Sequence, residues 1–325
     1  MLPMDTKTVR FLARMGARGA LGQAVFDYMK DGNEAFAVSA DLLHASGFDR
    51  ILKEFPEHVI DVGIAEQNLI GVSAGLSRSG IPVVATSWAM FTSARVADQV
   101  RNFMGYMQSN VKLIGMDSGF IQSRFSYSHS NPPDIAIMRA IPGIVILSPC
   151  DGVEIYKAIY AALEYKGPVY IRLTGSSLLP VIYKAPDFEY QIGKAISIRE
   201  GKDVALIGSG NIVGNLLKAS DFLKESGISA KVIDMHTIAP IDTEILDEVK
   251  DYKLVVTAEE HLLHGGLGSA VAEYYCGKKD RPVQLMLGID NQYPVPGRTQ
   301  YIEYSYGLRP EQISQHILEK LEVIK

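Results

Sequence analysis

The sequence contains little cysteine, little net charge and no long apolar segment. Its 325 residues include two cysteines, Cys150 and Cys276, which lie far apart and form neither a metal-binding spacing nor a disulfide framework. The formal charge of −5 argues against a nucleic-acid partner, which requires a basic face. No apolar run approaches the roughly 18 residues of a membrane-spanning helix, and residues 1–14 lack the apolar core of a signal peptide. We therefore expect a cytoplasmic protein that binds neither nucleic acid nor membrane.

Apolar residues are abundant, and their arrangement predicts an α/β fold. They make up 47% of the chain against 21% charged residues, which suffices for the cores of two ordinary domains. Short Val/Ile/Leu-rich runs alternate with helical patterns, as is typical of a parallel sheet covered on both faces. In the first half we expect strands at 34–40, 82–85, 111–115, 144–148 and 169–173, and helices at 65–79, 91–104 and 152–164.

A second α/β unit follows a segment that has no clear periodicity. Residues 179–193 contain two prolines and several aromatics, which is typical of a linker. Beyond it we expect strands at 203–207, 230–233, 253–258 and 283–287, and helices at 211–224, 243–249, 267–275 and 310–320. The sequence therefore predicts a larger domain over residues 1–185 and a smaller one over residues 186–325.

The most informative stretch is Asp-Val-Gly-Ile-Ala-Glu-Gln-Asn at residues 61–68, because it places Glu66 at the start of an apolar helix. Trp88 and Phe91 follow the next strand, at the carboxyl edge where open α/β sheets place ligands. Burial disfavours the charged form of a carboxylate, and such a group can share a proton with a ring nitrogen. The three residues suit a planar heterocycle held by stacking and one charge-assisted hydrogen bond. Taken singly, each also fits a helix-terminal carboxylate or a core aromatic residue.

A long polar loop over residues 117–133 supplies further candidates. It has no helical or strand period, and such loops in compact domains are usually functional. It contains Arg124 and His129, and we interpret His129 as an acid/base or hydroxyl-binding group, although it also fits a surface histidine. Arg172 ends a predicted strand at the same edge, either as an anion-binding residue or as a salt-bridged structural arginine.

An alternative function lies in the second domain. Gly208, Gly210 and Gly214 follow a predicted strand, and Asp234 stands about 20 residues further on, as in a dinucleotide-binding turn. The third glycine lies one position later than the dinucleotide-binding motif requires, so we interpret the three glycines rather as turn or helix-packing residues. An NAD-dependent oxidoreductase nevertheless remains the alternative from a different enzyme class.

Together these motifs resemble the carboxyl-terminal half of transketolases, as found in two-subunit transketolases. The resemblance covers nearly the whole chain, and the order and spacing of its pieces are highly specific. In the first domain it rests on residues 39–42, 63–68, 91–95, 98–99, 111–115, 128–129, 134–139 and 167–172. In the second domain it rests on residues 237–242, 259–261 and 265–273.

The resemblance implies a parallel-sheet pyrimidine-binding domain, which binds thiamine diphosphate, followed by a smaller α/β carboxyl-terminal domain. It implies that Glu66 contacts the aminopyrimidine of the coenzyme and is catalytic. Trp88 and Phe91 would pack on the pyrimidine ring. Asp41 and Arg95 would complete the coenzyme site on this chain.

The resemblance also implies a substrate channel lined by His129, as a second catalytic residue, and by Arg172. Two positions there depart from the family pattern, because the usual phosphate-binding histidine falls on Asp117 and the aspartate of an Asp-Gly pair falls on Phe125. An aspartate repels a phosphate, and a phenylalanine accepts no hydrogen bond. If both face the substrate, we expect a modified sugar, a non-phosphorylated ketose or a 2-oxoacid donor rather than the standard pentose phosphates.

The Gly-Asp-Gly motif that holds the metal and the pyrophosphate in this family does not occur in the sequence. The resemblance therefore implies no metal ligand on this chain. Mg²⁺, or another divalent ion, would be held mainly by an N-terminal transketolase subunit that carries the diphosphate-binding domain. We expect self-association into a heterotetramer that is active only with this partner.

The expected reaction is the transfer of a two-carbon ketol unit from a ketose-type donor to an aldehyde acceptor. A β-type subunit of a 2-oxoacid dehydrogenase or decarboxylase is a close alternative, because it is another split thiamine architecture. A non-catalytic regulatory subunit is a third interpretation. The stretches 134–139 and 167–172 favour a transketolase, and the retained Glu66 favours an enzyme.

Overall fold

Two β-sheets, each flanked by helices, form the chain in a computed structural model that describes residues 2–130, 133–175 and 178–324. The strands are β1 Phe36–Ser39, β2 Val59–Asp61, β3 Val83–Trp88, β4 Val111–Met116, β5 Val145–Leu147, β6 Val169–Arg172, β7 Ile196–Arg199, β8 Val204–Gly208, β9 Ala230–Asp234, β10 Thr237–Ala239, β11 Leu254–Leu262 and β12 Gln284–Ile289. The α-helices are α1 Thr6–Lys30, α2 Asp49–Glu54, α3 Glu66–Ser77, α4 Ala89–Thr92, α5 Ala97–Gln99, α6 Asp134–Arg139, α7 Gly152–Glu164, α8 Ile212–Glu225, α9 Thr243–Glu248, α10 Leu267–Cys276, α11 Thr299–Ser305 and α12 Pro310–Val323. Short 3₁₀-helices lie at Pro56–His58, Ala94–Val96 and Ser123–Ser128, and a π-helix at Val100–Tyr106. None of the helices within these ranges has the length together with the apolar character that a bilayer span requires.

The first sheet has the strand order β10-β5-β6-β4-β3-β1-β2, and its strands run parallel except for β10. Strands β4 and β6 are buried along their whole length. Residues of α1 and α7 form the apolar core on one face, and residues of α3 and α6 form the core on the other. This arrangement explains the continuous apolar runs in the sequence and confirms the predicted parallel sheet covered on both faces.

The second sheet has the order β12-β11-β8-β9-β7, parallel apart from β7. Helices α8 and α12 cover one face, and α9 and α10 cover the other. Strand β10, which follows β9 in the chain, leaves this sheet and pairs antiparallel with β5 of the first sheet. The two α/β units are therefore joined by strand pairing as well as by side chains.

The single helix predicted over residues 91–104 is wrong, because the structure breaks it into α4, a 3₁₀-turn, α5 and a π-helix. Ser93 has φ −116° and ψ −82°, outside the helical region. Its hydroxyl donates a hydrogen bond to the carbonyl oxygen of Ala89 at 2.6 Å, and such local side-chain bonds compete with the helical ladder. The break lets the chain fold back so that Arg95 lies over Phe91.

Helix α1 is a long element that the periodicity did not indicate. It contains Gly16, Gly19 and Gly22, which in a sequence are typical of breaks. Gly16, at φ 72° and ψ 177°, does interrupt the helix. Gly22 permits close packing, because an added Cβ would lie 2.2 Å from the carbonyl oxygen of Gly47. The packing carries Arg18 to the edge of the first sheet.

Candidate active site

Glu66 is the first residue of α3, and its carboxylate is buried beyond the carboxyl end of β2. The residue is 4% exposed. Its Oε2 accepts a hydrogen bond from Nη1 of Arg95 at 2.9 Å. In the described part of the chain no group is hydrogen-bonded to Oε1. One oxygen is therefore fixed by a guanidinium, and the other is left for a further partner.

A continuous stack of side chains leads from Glu66 to the surface. The Cζ of Arg95 lies 3.7 Å from the ring centroid of Phe91. The rings of Phe91 and His129 meet edge to face at a centroid distance of 5.5 Å. The ring of Phe125 lies 5.5 Å from that of His129. The structure thus brings together the predicted coenzyme residues Glu66, Phe91 and Arg95 with the predicted substrate residues His129 and Phe125.

His129 is positioned by the 3₁₀-turn Ser123–Ser128. Ser126, with φ 61°, reverses the chain, and its carbonyl oxygen accepts a hydrogen bond from the His129 N–H at 3.2 Å. The Nδ1 of His129 lies 3.0 Å from Oγ of Ser128, which leaves Nε2 for another partner. On the outer side, the Arg124 guanidinium lies 4.7 Å from the ring centroid of the half-exposed Phe125. The loop therefore presents an imidazole between two aromatic rings, with a cation at its rim.

Trp88 and Asp117 belong to a second cluster around Arg18. The Cζ of Arg18 lies 5.3 Å from the Trp88 ring centroid, and its Nε lies 3.4 Å from Oδ1 of Asp117. The other carboxylate oxygen of Asp117 accepts a hydrogen bond from Gln122. Asp117 is 2% exposed, and burial raises its pKa while Arg18 opposes the shift. Asp117 thus faces Arg18 and Gln122, and sequence reasoning missed Arg18 because α1 was not predicted.

Asp41 lies exposed at the end of β1, with φ 58°. Its N–H donates to Oδ1 of Asp61 at 2.9 Å, and the N–H of Gly63 donates to the same oxygen at 2.8 Å. Asp61 therefore ties together the loops that follow β1 and β2, and it positions the segment leading to Glu66. Asp61 was not among the predicted site residues, although its position at a strand end, two residues before Gly63 with its φ of 70°, marked it as a candidate.

Arg172 lies in the contact between the two domains. It is 1% exposed, and its Nε donates to both carboxylate oxygens of Asp134, at 3.1 and 2.9 Å. Its Nη2 donates to the carbonyl oxygen of Glu260 at 2.5 Å. Tyr170 donates a further hydrogen bond to Asp134 at 3.0 Å. The expected position in a substrate channel is not what the structure shows, because these partners enclose the guanidinium as they do in a salt-bridged structural arginine.

The buried Glu260 makes a pH dependence of stability testable. Desolvation raises its pKa from 4.5 to about 8, with Arg172 opposing the shift. The folded chain therefore binds a proton at this site that the unfolded chain has already lost above pH 4.5. The unfolding free energy is expected to fall as the pH rises from about 4.5 to about 8, by up to about 1.4 kcal/mol per pH unit from this group. Urea unfolding of wild type and Glu260→Gln across this range would measure it. The variant should show a shallower decline, and an equal decline in both would contradict the assignment.

The glycine turn after β8 is filled by the chain itself. Gly210 has φ 69°, and an added Cβ would lie 2.6 Å from Oγ1 of Thr174. Asp234 is fully buried, where Cys150 Sγ and Tyr183 OH donate to its Oδ2 at 3.2 and 2.8 Å. A dinucleotide would need this space and this carboxylate. The position of the turn therefore argues against the NAD-dependent alternative.

Cys150 and Asp234 also belong, with Glu154, to a buried group whose potential ligand atoms lie within 4.8 Å of one another. Burial raises the pKa of Asp234 to about 6 and that of Glu154 well above its ordinary value. Among the residues that the structure describes, no other trio of this kind occurs. It lies between the domains, with Cys150 after β5 and Asp234 at the end of β9.

Comparison with known proteins identifies the family. Residues 13–180 match the family of transketolase pyrimidine-binding domains, and residues 193–313 match the family of transketolase C-terminal domains. One of the subunits of the apulose-4-phosphate transketolase of Phocaeicola vulgatus is 33% identical over 307 residues, which are 94% of this chain and 97% of that protein. The 6-deoxy-6-sulfo-D-fructose transketolase subunit SqwH of Clostridium sp. (strain MSTE9) is 36% identical over 89% of each chain.

Solved structures agree with these relationships. A split-gene transketolase, described as an inactive β4 tetramer, superposes with a TM-score of 0.86 at 33% identity and covers 96% of this chain and all of that one. The transketolase of Campylobacter jejuni shares the fold, with a TM-score of 0.77 at 18% identity, over 97% of this chain and 49% of that one. The resemblance drawn from the motifs is confirmed. The chain belongs to the transketolase family and comprises its pyrimidine-binding and C-terminal domains.

Proposed function

We propose that this chain is the subunit of a two-subunit transketolase that holds the pyrimidine end of thiamine diphosphate and half of the substrate site. The observation that carries the proposal is the buried Glu66 carboxylate, with one oxygen fixed by Arg95 and the aromatic stack of Phe91 and His129 beside it. The domain boundary belongs between residues 185 and 186, within the segment that joins the two α/β units.

The side chains around Glu66 fit the pyrimidine ring of the coenzyme. A flat heterocycle needs an aromatic face and a carboxyl group at its nitrogen, and Phe91 lies under Arg95 beside Glu66, while Trp88 stands at the end of strand β3. Asp41 stands at the neighbouring strand end. When bound, thiamine diphosphate supplies the carbanion chemistry that transfer of a two-carbon ketol unit requires.

Each side chain in the stack has a distinct task. Glu66 uses Oε1 to hold a proton at the ring nitrogen of the aminopyrimidine, while Arg95 keeps Oε2 in place. Phe91 supports the ring from one side. His129 offers Nε2 to a hydroxyl of the sugar, since Nδ1 already faces Ser128. Phe125 screens the imidazole from solvent.

The diphosphate end of the coenzyme requires a partner subunit. No Gly-Asp-Gly motif occurs in the sequence, and the Cys150 group, the one trio of potential ligands in the described residues, is fully buried and includes a thiol, which does not suit Mg²⁺. Mg²⁺ binds through oxygen ligands and the phosphates of its substrate, so the partner's diphosphate-binding domain would hold it. Ile64, two residues before Glu66, is 79% exposed and is a natural contact for that partner. We propose a heterotetramer located in the cytoplasm.

Reconstitution of the enzyme from its two subunits tests whether this chain needs the partner for activity. The purified chain with thiamine diphosphate and Mg²⁺ is expected to show no ketol transfer, and addition of the N-terminal subunit should restore activity. A coupled assay of ketose consumption measures both states, with the N-terminal subunit alone as the control. Full activity of the chain by itself would refute the proposal.

We further propose a substrate other than the standard pentose phosphates. Phe125 is half-exposed beside His129, where it contributes no hydrogen-bond acceptor to a sugar hydroxyl. Asp117 and Arg172 are enclosed by internal partners, so the exposed Arg124 is the better candidate to meet an anionic end of the substrate. Two similar subunits are named for apulose 4-phosphate and 6-deoxy-6-sulfo-D-fructose, which are non-standard sugars.

The substrate proposal predicts poor use of the pentose phosphates. A missing hydrogen bond at a buried sugar hydroxyl weakens transition-state binding by about 1–3 kcal/mol. The kcat/KM of the assembled enzyme for xylulose 5-phosphate with ribose 5-phosphate is therefore expected to lie at least about fivefold below that for its own donor. Parallel assays with apulose 4-phosphate and 6-deoxy-6-sulfo-D-fructose would make the comparison. High activity on the pentose phosphates, above that on both modified sugars, would contradict it.

A further inference from the structure

A cavity of about 330 Å³ lies beside the aromatic stack, between the loop of residues 117–130 and the segment 290–298 of the second domain. On the first-domain side it is lined by Met90, Tyr127, Ser130 and Pro133. Met90 precedes Phe91 in the chain, and Ser130 follows His129. The cavity, which we call the tyrosine cleft, therefore adjoins the substrate side of the proposed active site.

The second domain supplies the opposite wall through Leu262, Asn291, Gln292 and Tyr293. The rings of Tyr293 and Tyr127 contact each other directly at the cleft, with a centroid distance of 5.3 Å and an angle of 44°. Tyr127 is 60% exposed and Tyr293 is 78% exposed, so neither ring contributes to a packed core. The exposed part of each ring, outside their mutual contact, is thus presented to a ligand.

The wall from the second domain is held firmly against the loop. The N–H of Gly297 donates to the carbonyl oxygen of Ser123 at 3.3 Å, and Oγ1 of Thr299 donates to that of Phe120 at 3.4 Å. Within the segment, the N–H of Asn291 donates to Oδ1 of Asp290 at 2.7 Å. The cleft is therefore built by hydrogen bonds across the domain boundary, and it does not depend on the tyrosine contact alone.

The chemistry of the cleft selects an uncharged ring. None of the eight lining residues carries a charge, so an anionic phosphate gains nothing there. Within the described ranges, the side-chain amides of Asn291 and Gln292 have no hydrogen-bond partner, and an amide both donates and accepts. Exposed aromatic rings stack on flat groups of any polarity. Tyrosine rings beside unpaired side-chain amides therefore match a ligand ring whose edge carries hydrogen-bond donors and acceptors.

We propose that the tyrosine cleft binds an uncharged ring with a hydrogen-bonding edge, the distal part of a substrate that extends beyond the reacting sugar carbons. The inference rests on the proposed function, because it extends the substrate site around His129. A nucleoside base and a glycosidic sugar ring both have this chemistry. Tyr127 and Tyr293 stack on the ring, and the side-chain amides of Asn291 and Gln292 form hydrogen bonds with the polar groups at its edge.

Ligand-observed NMR on the assembled two-subunit enzyme tests the proposal with uridine, methyl β-D-glucopyranoside and inorganic phosphate as probes. At least one ring probe should bind, and the one that binds identifies the ring as a base or a sugar. Tyr293→Ala and Tyr127→Ala should each weaken its binding at least about fivefold, the lower end for aromatic stacking. Tyr304→Ala, which removes an exposed tyrosine of α11 outside the cleft, should leave binding unchanged. Phosphate should not displace the ring probe.

Several results would overturn the proposal. They are the absence of ring binding to the assembled enzyme, unchanged binding after both tyrosine substitutions, and displacement by phosphate. Ring binding to the isolated chain but not to the assembled enzyme would mean that the partner covers the cleft, which also overturns it. Ketol transfer measured on the same samples separates the two proposals, since transfer without ring binding contradicts only the cleft. Ring binding without any transfer contradicts only the proposed function.

Discussion

The Glu66→Gln enzyme, assembled with its partner, is expected to lose ketol transfer by about 10²- to 10⁴-fold, the usual contribution of a positioned proton-transfer group. Glutamine keeps the size of the side chain and one oxygen for Arg95, but its amide can neither take up nor release a proton in exchange with a ring nitrogen. The buried position of Glu66 leaves little room for water to replace the carboxylate. Initial rates at saturating donor and acceptor measure the loss, and circular dichroism verifies the fold.

A matched control comes from Glu57, an exposed carboxylate in the 3₁₀-turn before β2, at the opposite end of that strand. Glu57→Gln removes the same charge and should leave the rate within about twofold, since exposed substitutions away from a site have small effects. If Glu66→Gln retained a rate within about tenfold of wild type, the carboxylate would not be the group that activates the coenzyme.

Arg172→Met is expected to lower the unfolding free energy of the chain by about 3–5 kcal/mol, because it leaves Asp134 buried with its charge unpaired. Asp134 is fully buried, and after the substitution Tyr170 alone would donate to its carboxylate among the bonds described above. The substitution also removes the hydrogen bond to the Glu260 carbonyl, which joins the two domains. Urea unfolding of the isolated chain gives the change directly.

Arg101→Met is the control for this experiment. Arg101 pairs with Asp98 on the surface at 2.7 Å, with both side chains largely exposed, and such pairs contribute about 0–1 kcal/mol. A loss from Arg172→Met no larger than that from Arg101→Met would contradict a structural role. In that case Arg172 would instead be an anion-binding residue, in a channel that opens when the two subunits assemble.

The parallel sheets were predictable because their strands are buried on both faces and so appear as unbroken apolar runs. Helix α7, predicted at residues 152–164, is observed at Gly152–Glu164, since Asp151 caps its start by accepting a hydrogen bond from the N–H of Glu154. Glu66 was predictable for a similar local reason, as a carboxylate at the first turn of an apolar helix.

The contacts that decide the site were not predictable from local patterns. Arg95 reaches Glu66 because the chain breaks at Ser93, and a periodicity of 3.6 residues carries no sign of that break. Arg18 forms an ion pair with Asp117, which lies 99 residues further along the chain. Arg18 belongs to helix α1, which was not predicted because glycines within it are typical of breaks. One partner of Arg172, the carbonyl oxygen of Glu260, comes from the second domain, and the spacing of residues in the sequence does not indicate how the domains meet.

A structure of the assembled two-subunit enzyme with thiamine diphosphate and Mg²⁺ tests the central claim most directly. The account predicts a carboxylate oxygen of Glu66 at about 2.6–3.2 Å from a nitrogen of the pyrimidine ring, with the diphosphate and the metal ion held by the partner. A coenzyme bound elsewhere, or a Glu66 side chain directed away from the ring, would contradict it.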